Sequence, residues 1–160
     1  MEPVARVREH LARFPYRIEI MEFEESTHTA ELAARAVGVG VGQIAKSLLF
    51  VADGRPVMVV TSGDVKVSTG RLKQHLGVRG KVRMADPETA AAVTGYPPGG
   101  LCPFDLPEQV RVLVDVSMKR FPVVYVAAGS PRSAAPVTAE QLLEITGGEW
   151  CDVCQGAAPG

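Results

Sequence analysis

Two apolar runs meet at Asp53-Gly54 in "IAKSLLFVADGRPVMVVTS", residues 44–62, and that dipeptide constrains the chain more than any other stretch. Asp-Gly suits a two-residue hairpin, because the favoured turn needs positive φ at its central positions. With these residues as the turn, Ala52 faces Arg55, and counting back places Lys46 opposite Thr61. Lys46 then stands at the far end of the hairpin, beside "TSGD". Alternate side chains of an extended chain share a face. Ile44, Lys46, Leu48 and Phe50 therefore point one way, and Ala45, Ser47, Leu49 and Val51 the other. Both sets are mostly apolar, as in a strand covered on two sides. Lys46 is the exception. Stripping an ammonium of water is costly without a replacement, and no acid lies within the run. Two readings stay open: a snorkelling lysine with its head in solvent, or a cation held in a pocket.

The rest of the chain supplies the partners of this hairpin. Val4, Val7, Leu11 and Phe14 recur at helical spacing, which predicts a helix over residues 3–13. "YRIEIMEF" alternates as a strand does. Thr29 is an N-cap for the next helix and Gly38 its stop; Ser68 caps "TGRLKQHLG". "KVRMA" reads as a strand, and "DPETAAAVTG" as a helix opened by Asp86 and closed at Gly95. "VRVLVDV" and "FPVVYVAAG" are apolar strands joined by "SMKR"; "TAEQLLEITGG" is a helix with a capping box from Thr138 to Gln141. "EWCDVC" ends the fold, and "QGAAPG" reads as a loose tail. The fold class is therefore α/β of the α+β type: one domain over residues 1–154, then a flexible tail at 155–160. Its mixed, largely antiparallel sheet carries helices outside and curls toward a barrel.

Composition narrows the function. With 17 basic and 18 acidic residues the net charge is −1, so no global field draws the chain to nucleic acid, DNA included. No apolar run approaches the ~20 residues of a membrane span. The N-terminus reads as an amphipathic helix rather than a signal-peptide core. Three cysteines are too few and too unevenly placed for a disulfide framework, which points to a reducing cytoplasm. Nothing fixes the oligomeric state.

The most informative loop is "GYPPGGLCPF", residues 95–104. Glycines free to take positive φ alternate with prolines locked near −65°. The backbone N–H groups of Gly99, Gly100 and Leu101 are candidates to receive a carbonyl or phosphate oxygen; a plain structural connection is the alternative. Cys151 and Cys154 have C-x-x-C spacing, with Cys102 as a conceivable third ligand. Zinc usually takes four ligands, no histidine pair completes the set, and an extended chain puts the two sulfurs on opposite faces. All three read as small buried hydrophobes. His28, just before a helix in "STHT", is a candidate base or stacking side chain. "GVGVG" precedes a strand instead of following one, against a dinucleotide fingerprint. Lys66, Arg71, Lys73, Lys81 and Arg83 cluster in sequence, making Arg71 and Lys73 candidates for a phosphate-backbone patch, with a solvated helix face as the alternative.

Taken together, "HTAELAARAVGVGVGQIAKSLLF", "TSGD", "TGYPPGGLCPF" and "VVYVAAG" resemble the YbaK/EbsC family, free-standing relatives of the editing domain of bacterial prolyl-tRNA synthetases. The resemblance spans about residues 15–150. It implies a barrel-like mixed sheet and trans-editing: hydrolysis of the ester in mischarged aminoacyl-tRNA, with Cys- or Ala-tRNA for proline as substrate. The family's essential lysine matches Lys46. Its glycine-rich loop matches Gly95, Gly99, Gly100 and Pro103, and its later glycine matches Gly129. Thr61, Leu101 and His28 join Gly99, Gly100 and Gly129 as substrate-binding candidates. Ser47 stands where members often carry threonine. The resemblance further implies no metal and no cofactor, the acceptor end of tRNA as partner and prolyl-tRNA synthetase as a second. It also implies that a ribose hydroxyl or a cysteine substrate's own thiol assists attack. The rival class is a binding module with the same pocket and no turnover.

Overall fold

The computed structural model describes residues 2–156. Its helices are α1 (Pro3–Leu11), α2 (Ala30–Val37), α3 (Thr69–Leu76), α4 (Pro87–Thr94) and α5 (Ala139–Thr146). Its strands are β1 (Met21–Glu22), β2 (Ile44–Ala52), β3 (Arg55–Ser62), β4 (Lys66–Val67), β5 (Val82–Met84), β6 (Arg111–Asp115), β7 (Val124–Val126), β8 (Ser133–Val137), β9 (Glu149–Cys151) and β10 (Cys154–Gln155).

Local chemistry sets the helix ends as expected. The Thr29, Ser68, Asp86 and Thr138 side chains each accept the backbone N–H three residues on. The Gln141 side chain completes the capping box at Thr138. Gly38 and Gly95 close their helices with φ of 90° and 81°, a conformation that costs other residues a Cβ clash. Helix α1 stops at Leu11, two residues before the expected end, and buries Val4, Val7 and Leu11.

β2 and β3 pair in the expected register, with Ala52 opposite Arg55 and Lys46 opposite Thr61. The main sheet runs β1-β8-β7-β2-β3-β6-β9, and β5 also pairs with β2. β6 and β7 do not neighbour each other. A 3-10 helix at Val116–Arg120 carries the chain over, so β6 runs parallel to β3 and β7 parallel to β2, on opposite sides of the hairpin. Such placement is not encoded in local alternation. Among the described residues β1 and β9 end the path without pairing, so the curl stops short of a hydrogen-bonded closed barrel.

Two expectations shift. The strand expected over "YRIEIMEF" pairs only at Met21 and Glu22, with Ala134 and Ser133. Tyr16, Ile18 and Ile20 still turn toward the core, so the alternation is real although the ladder is not. β8, "SAAPV", was not foreseen, because alanine and proline are poor strand formers. Of the expected tail, Gln155 pairs with Lys66 in a small separate sheet of β10 and β4; residues 157–160 lie outside the described residues.

The central strands are covered on both faces. One face holds Leu49, Met58, Val60, Val112, Val114, Tyr96, Phe104 and Leu142; the other holds Phe50, Val57, Val59, Leu113, Leu72 and Val153. Cys102 is buried in the first cluster, Cys151 and Cys154 in the second. That pair shares one side after all, because the chain leaves β9 at Cys151 and re-enters a strand only at Cys154. Burial pushes the Cys102 thiol up to about 12, so it is a proton-bearing core group and not a nucleophile.

Candidate active site

β2 has two unequal edges. Its β3 edge is paired from Ala45 to Ala52. Its other edge is shared: β7 takes Ile44 and Ala45, and β5 takes Phe50 to Ala52. Between them the strand is bare, and a cavity of about 370 Å³ opens at the gap. Side chains reach it from both faces of the sheet. Ala30 and Ala33 of α2 come from one side; Ala90 of α4, Tyr96 and Leu101 come from the other. The lining is mostly apolar, with Thr27, Thr29, Ser47 and Ser133 adding hydroxyls. Lys46 is its one charged side chain, joined by the imidazole of His28.

Lys46 is half-buried and forms no ion pair among the described residues. The nearby acid is already engaged. Asp64 takes two bonds from Arg120, at 3.0 and 2.6 Å, and Arg120 is the main reason its carboxyl is held below the usual range, with Lys46 adding a smaller share. A cation left without a counter-ion in an apolar cavity is a poor device for stability. It is a good one for meeting an anion or a developing oxyanion.

The loop between α4 and β6 is held rigidly. Buried Tyr96 donates its hydroxyl to the Phe104 carbonyl at 2.6 Å. Arg6 of α1 spans the same loop: its guanidinium lies 4.3 Å from the Tyr96 ring centroid, donates to the Thr94 carbonyl at 2.9 Å and pairs with Asp105 at 2.9 Å. No sequence signal marked Arg6, because its partners lie about 90 residues away.

The glycines divide their work. Gly99 (φ 79°) lines the cavity, and a Cβ there would stand 2.4 Å from His28 Nδ1, so the His28 ring packs directly against this glycine. Gly100 does not line the cavity: its N–H donates to the Pro97 carbonyl at 2.9 Å, and a Cβ would meet the Gly129 carbonyl carbon and oxygen at 2.6 Å. Gly129 (φ 100°) in turn has the Pro3 backbone 2.8 Å from where its Cβ would be. Gly100 and Gly129 therefore match each other and α1, and neither lines the cavity. The Gly99 and Leu101 N–H groups have no backbone partner among the described residues, and both residues line the cavity.

Three other candidates fall elsewhere. Thr61 is fully buried opposite Lys46, donates its hydroxyl to the Ser62 carbonyl at 3.1 Å and does not line the cavity. Arg71 and Lys73 on α3 do not line it either, and the Arg71 guanidinium donates to the Cys154 carbonyl at 2.6 Å, fastening β10 to the helix. The sequence had marked neither Tyr125 nor Ser47 for the site; both line it.

A mixed sheet parted at one strand, an ammonium in a largely apolar cleft and a pinned glycine loop beside it together define the site. Comparison with known proteins makes the class specific. The family described as the aminoacyl-tRNA editing domain matches residues 24–145, and the chain belongs to it. YwhH of Bacillus subtilis, an uncharacterized protein, is 38% identical over 151 residues, covering 93% of this chain and 95% of that one. EbsC of Enterococcus faecalis, named as a candidate Cys-tRNA(Pro)/Cys-tRNA(Cys) deacylase, is 26% identical over 142 residues, 88% of this chain and 86% of that one. Among solved structures, a candidate trans-editing enzyme for prolyl-tRNA synthetase superposes with a TM-score of 0.88 at 32% identity, covering 98% of this chain and 99% of that one.

Proposed function

We propose that the chain hydrolyses the ester of mischarged aminoacyl-tRNA, acting in trans on tRNA already released by a synthetase. The observation that carries this reading is Lys46: an ammonium with no ion pair among the described residues, in a largely apolar cavity that the residues of the available Gly99 and Leu101 amides also line. Family membership supplies the substrate class. In this reading the ammonium steadies the charge that develops as water adds to the ester carbonyl, or grips the terminal phosphate. The amino acid and the tRNA hydroxyl then separate. His28 packs on Gly99 and is not assigned as the base; a ribose hydroxyl or a cysteine substrate's thiol assists the water.

A cavity of about 370 Å³ with alanine, leucine and proline walls suits a small uncharged side chain. Cysteine and alanine mischarged onto tRNA for proline fit that description; EbsC is named for the cysteine case and the matched structure for prolyl-tRNA synthetase. Prolyl-tRNA synthetase is the corresponding partner. Residues 1–154 act as one unit, and the cytoplasm, where tRNA is charged, is the place of action. No helix among the described residues is long and apolar enough to cross a membrane.

The test is deacylation of a panel of mischarged tRNAs by wild type, Lys46→Met and Lys46→Arg. Turnover of Cys- or Ala-tRNA for proline by wild type alone is the expected result. Binding of tRNA with no turnover of any member would leave a non-catalytic binding module.

A further inference from the structure

Successive residues of a strand turn their N–H and C=O groups to alternate sides. The Leu49 carbonyl accepts the Ala85 N–H at 2.9 Å, so Leu49 faces the edge shared by β5 and β7. Ser47, two residues back, faces the same edge. β7 stops at Ala45 and β5 begins its pairing at Phe50, so neither reaches Ser47. Its N–H and C=O have no backbone partner among the described residues and open on the cavity that Ser47 lines. The Ser47 hydroxyl is likewise buried without a partner. Unmet backbone groups in an apolar setting are rare in folded proteins, and here they are adjacent.

We infer that this bare edge of β2 receives the aminoacyl group itself, as a strand one residue long. The inference rests on the deacylase reading and specifies how its substrate is held. In an antiparallel hydrogen-bonded pair, two opposed residues exchange both N–H···O bonds. The substrate's α-ammonium donates to the Ser47 carbonyl, and the Ser47 N–H donates to the ester carbonyl. Opposed residues send their side chains to the same face. The amino-acid side chain therefore lies on the Ser47 face, among Ala45, Leu49, Tyr96, Ala90 and Leu101, which form the apolar wall of the cavity. Lys46 points to the opposite face, so amino-acid recognition and the cation reach the ester from two sides of one strand. The ligand class is an α-amino acyl group with a free amine. N-acylated and peptidyl esters lack the charged donor and crowd the edge.

The experiment measures binding of two amides of 3′-amino-3′-deoxyadenosine that resist hydrolysis, one alanyl and one N-acetylalanyl. A hydrogen bond to a charged group should favour the free amine by at least about tenfold in wild type. Ser47→Pro removes an N–H that serves no ladder bond, which a strand edge tolerates. It should weaken the alanyl compound severalfold to about tenfold at an unchanged melting temperature. Equal affinity of the two compounds for wild type overturns the edge site. A folded Ser47→Pro protein that binds the alanyl compound as wild type does overturns the role of the N–H. If that variant does not fold, the wild-type pair decides alone. Deacylation of mischarged tRNA is followed in parallel. Preference for the free amine without turnover sinks the deacylase reading and leaves the edge site standing; turnover without the preference does the reverse.

Discussion

Along its β3 edge β2 is paired without a break from Ala45 to Ala52, whereas its other edge is divided between β7 and β5 with a bare stretch between. One strand thus has a side where every backbone group is spoken for and a side where several are not. The paired side is flanked by residues without exposure, Met58, Val59 and Val60 among them, and it carries stability. The divided side holds a cavity with an ammonium and amides that lack partners among the described residues, features that do not help the chain fold. Stability and chemistry have been assigned to opposite edges of the same nine residues.

If that division holds, damage to each edge should show in a different measurement. Lys46→Met should lower deacylation by at least ~100-fold, the scale of losing one contact to a developing oxyanion, while the melting temperature stays or rises slightly as a poorly solvated charge disappears. Lys46→Arg should not restore turnover, since a planar fork does not replace a compact ammonium. Near-wild-type turnover by the methionine variant returns Lys46 to a snorkelling side chain. Met58→Ala, on β3, should show the reverse pattern: a loss of about 2–5 kcal/mol in denaturant unfolding, with turnover per folded molecule unchanged. Loss of both together would mean the edges are not separable.

Gly100→Val tests the glycine loop between these extremes. Its new side chain would strike the Gly129 carbonyl, and overpacking of this kind typically costs about 1–3 kcal/mol. Both melting and turnover should fall, and a purely kinetic defect would put Gly100 back in contact with substrate. Arg71→Ala should cost roughly 1 kcal/mol, the worth of an ordinary hydrogen bond, with no change in the salt dependence of tRNA binding. A flattened salt slope would restore the α3 patch to the interface.

The smallest effect concerns pH. Burial is the main reason His10 titrates below its ordinary value, the nearby Asp105 acting weakly against it at 3.8 Å. The folded state therefore favours the neutral ring. This stability is fully present above the unfolded value of about 6.5 and is lost as pH falls through it toward the lower folded value. His10→Gln should flatten the melting temperature between pH 7 and 5, and an unchanged slope would show that another group titrates there.

Local signals were readable where partner and position are close in sequence. The Asp53-Gly54 turn fixed the register down to Lys46 and Thr61, and helices α2 to α5 each carried their own cap. Lys46 was conspicuous as a charge that alternation could not explain. What escaped depends on distant partners. β8 hid in alanine and proline, and β6 and β7 looked adjacent until the hairpin came between them. The role of Gly100 needed Gly129 beside it, and the bare edge of β2 depends on where two other strands stop.

The matched family region begins at residue 24 and ends at 145, yet α1 lies before it and does more than cover the core. Its Arg6 holds both ends of the glycine loop, its Pro3 backbone abuts Gly129, and Val7 and Leu11 fill the cavity-side cluster. A protein trimmed to the shared boundaries would keep Lys46, Gly99 and Ser47 and lose the brace that aligns them. Helix α1 is in that sense part of the site, although none of its residues lines the cavity.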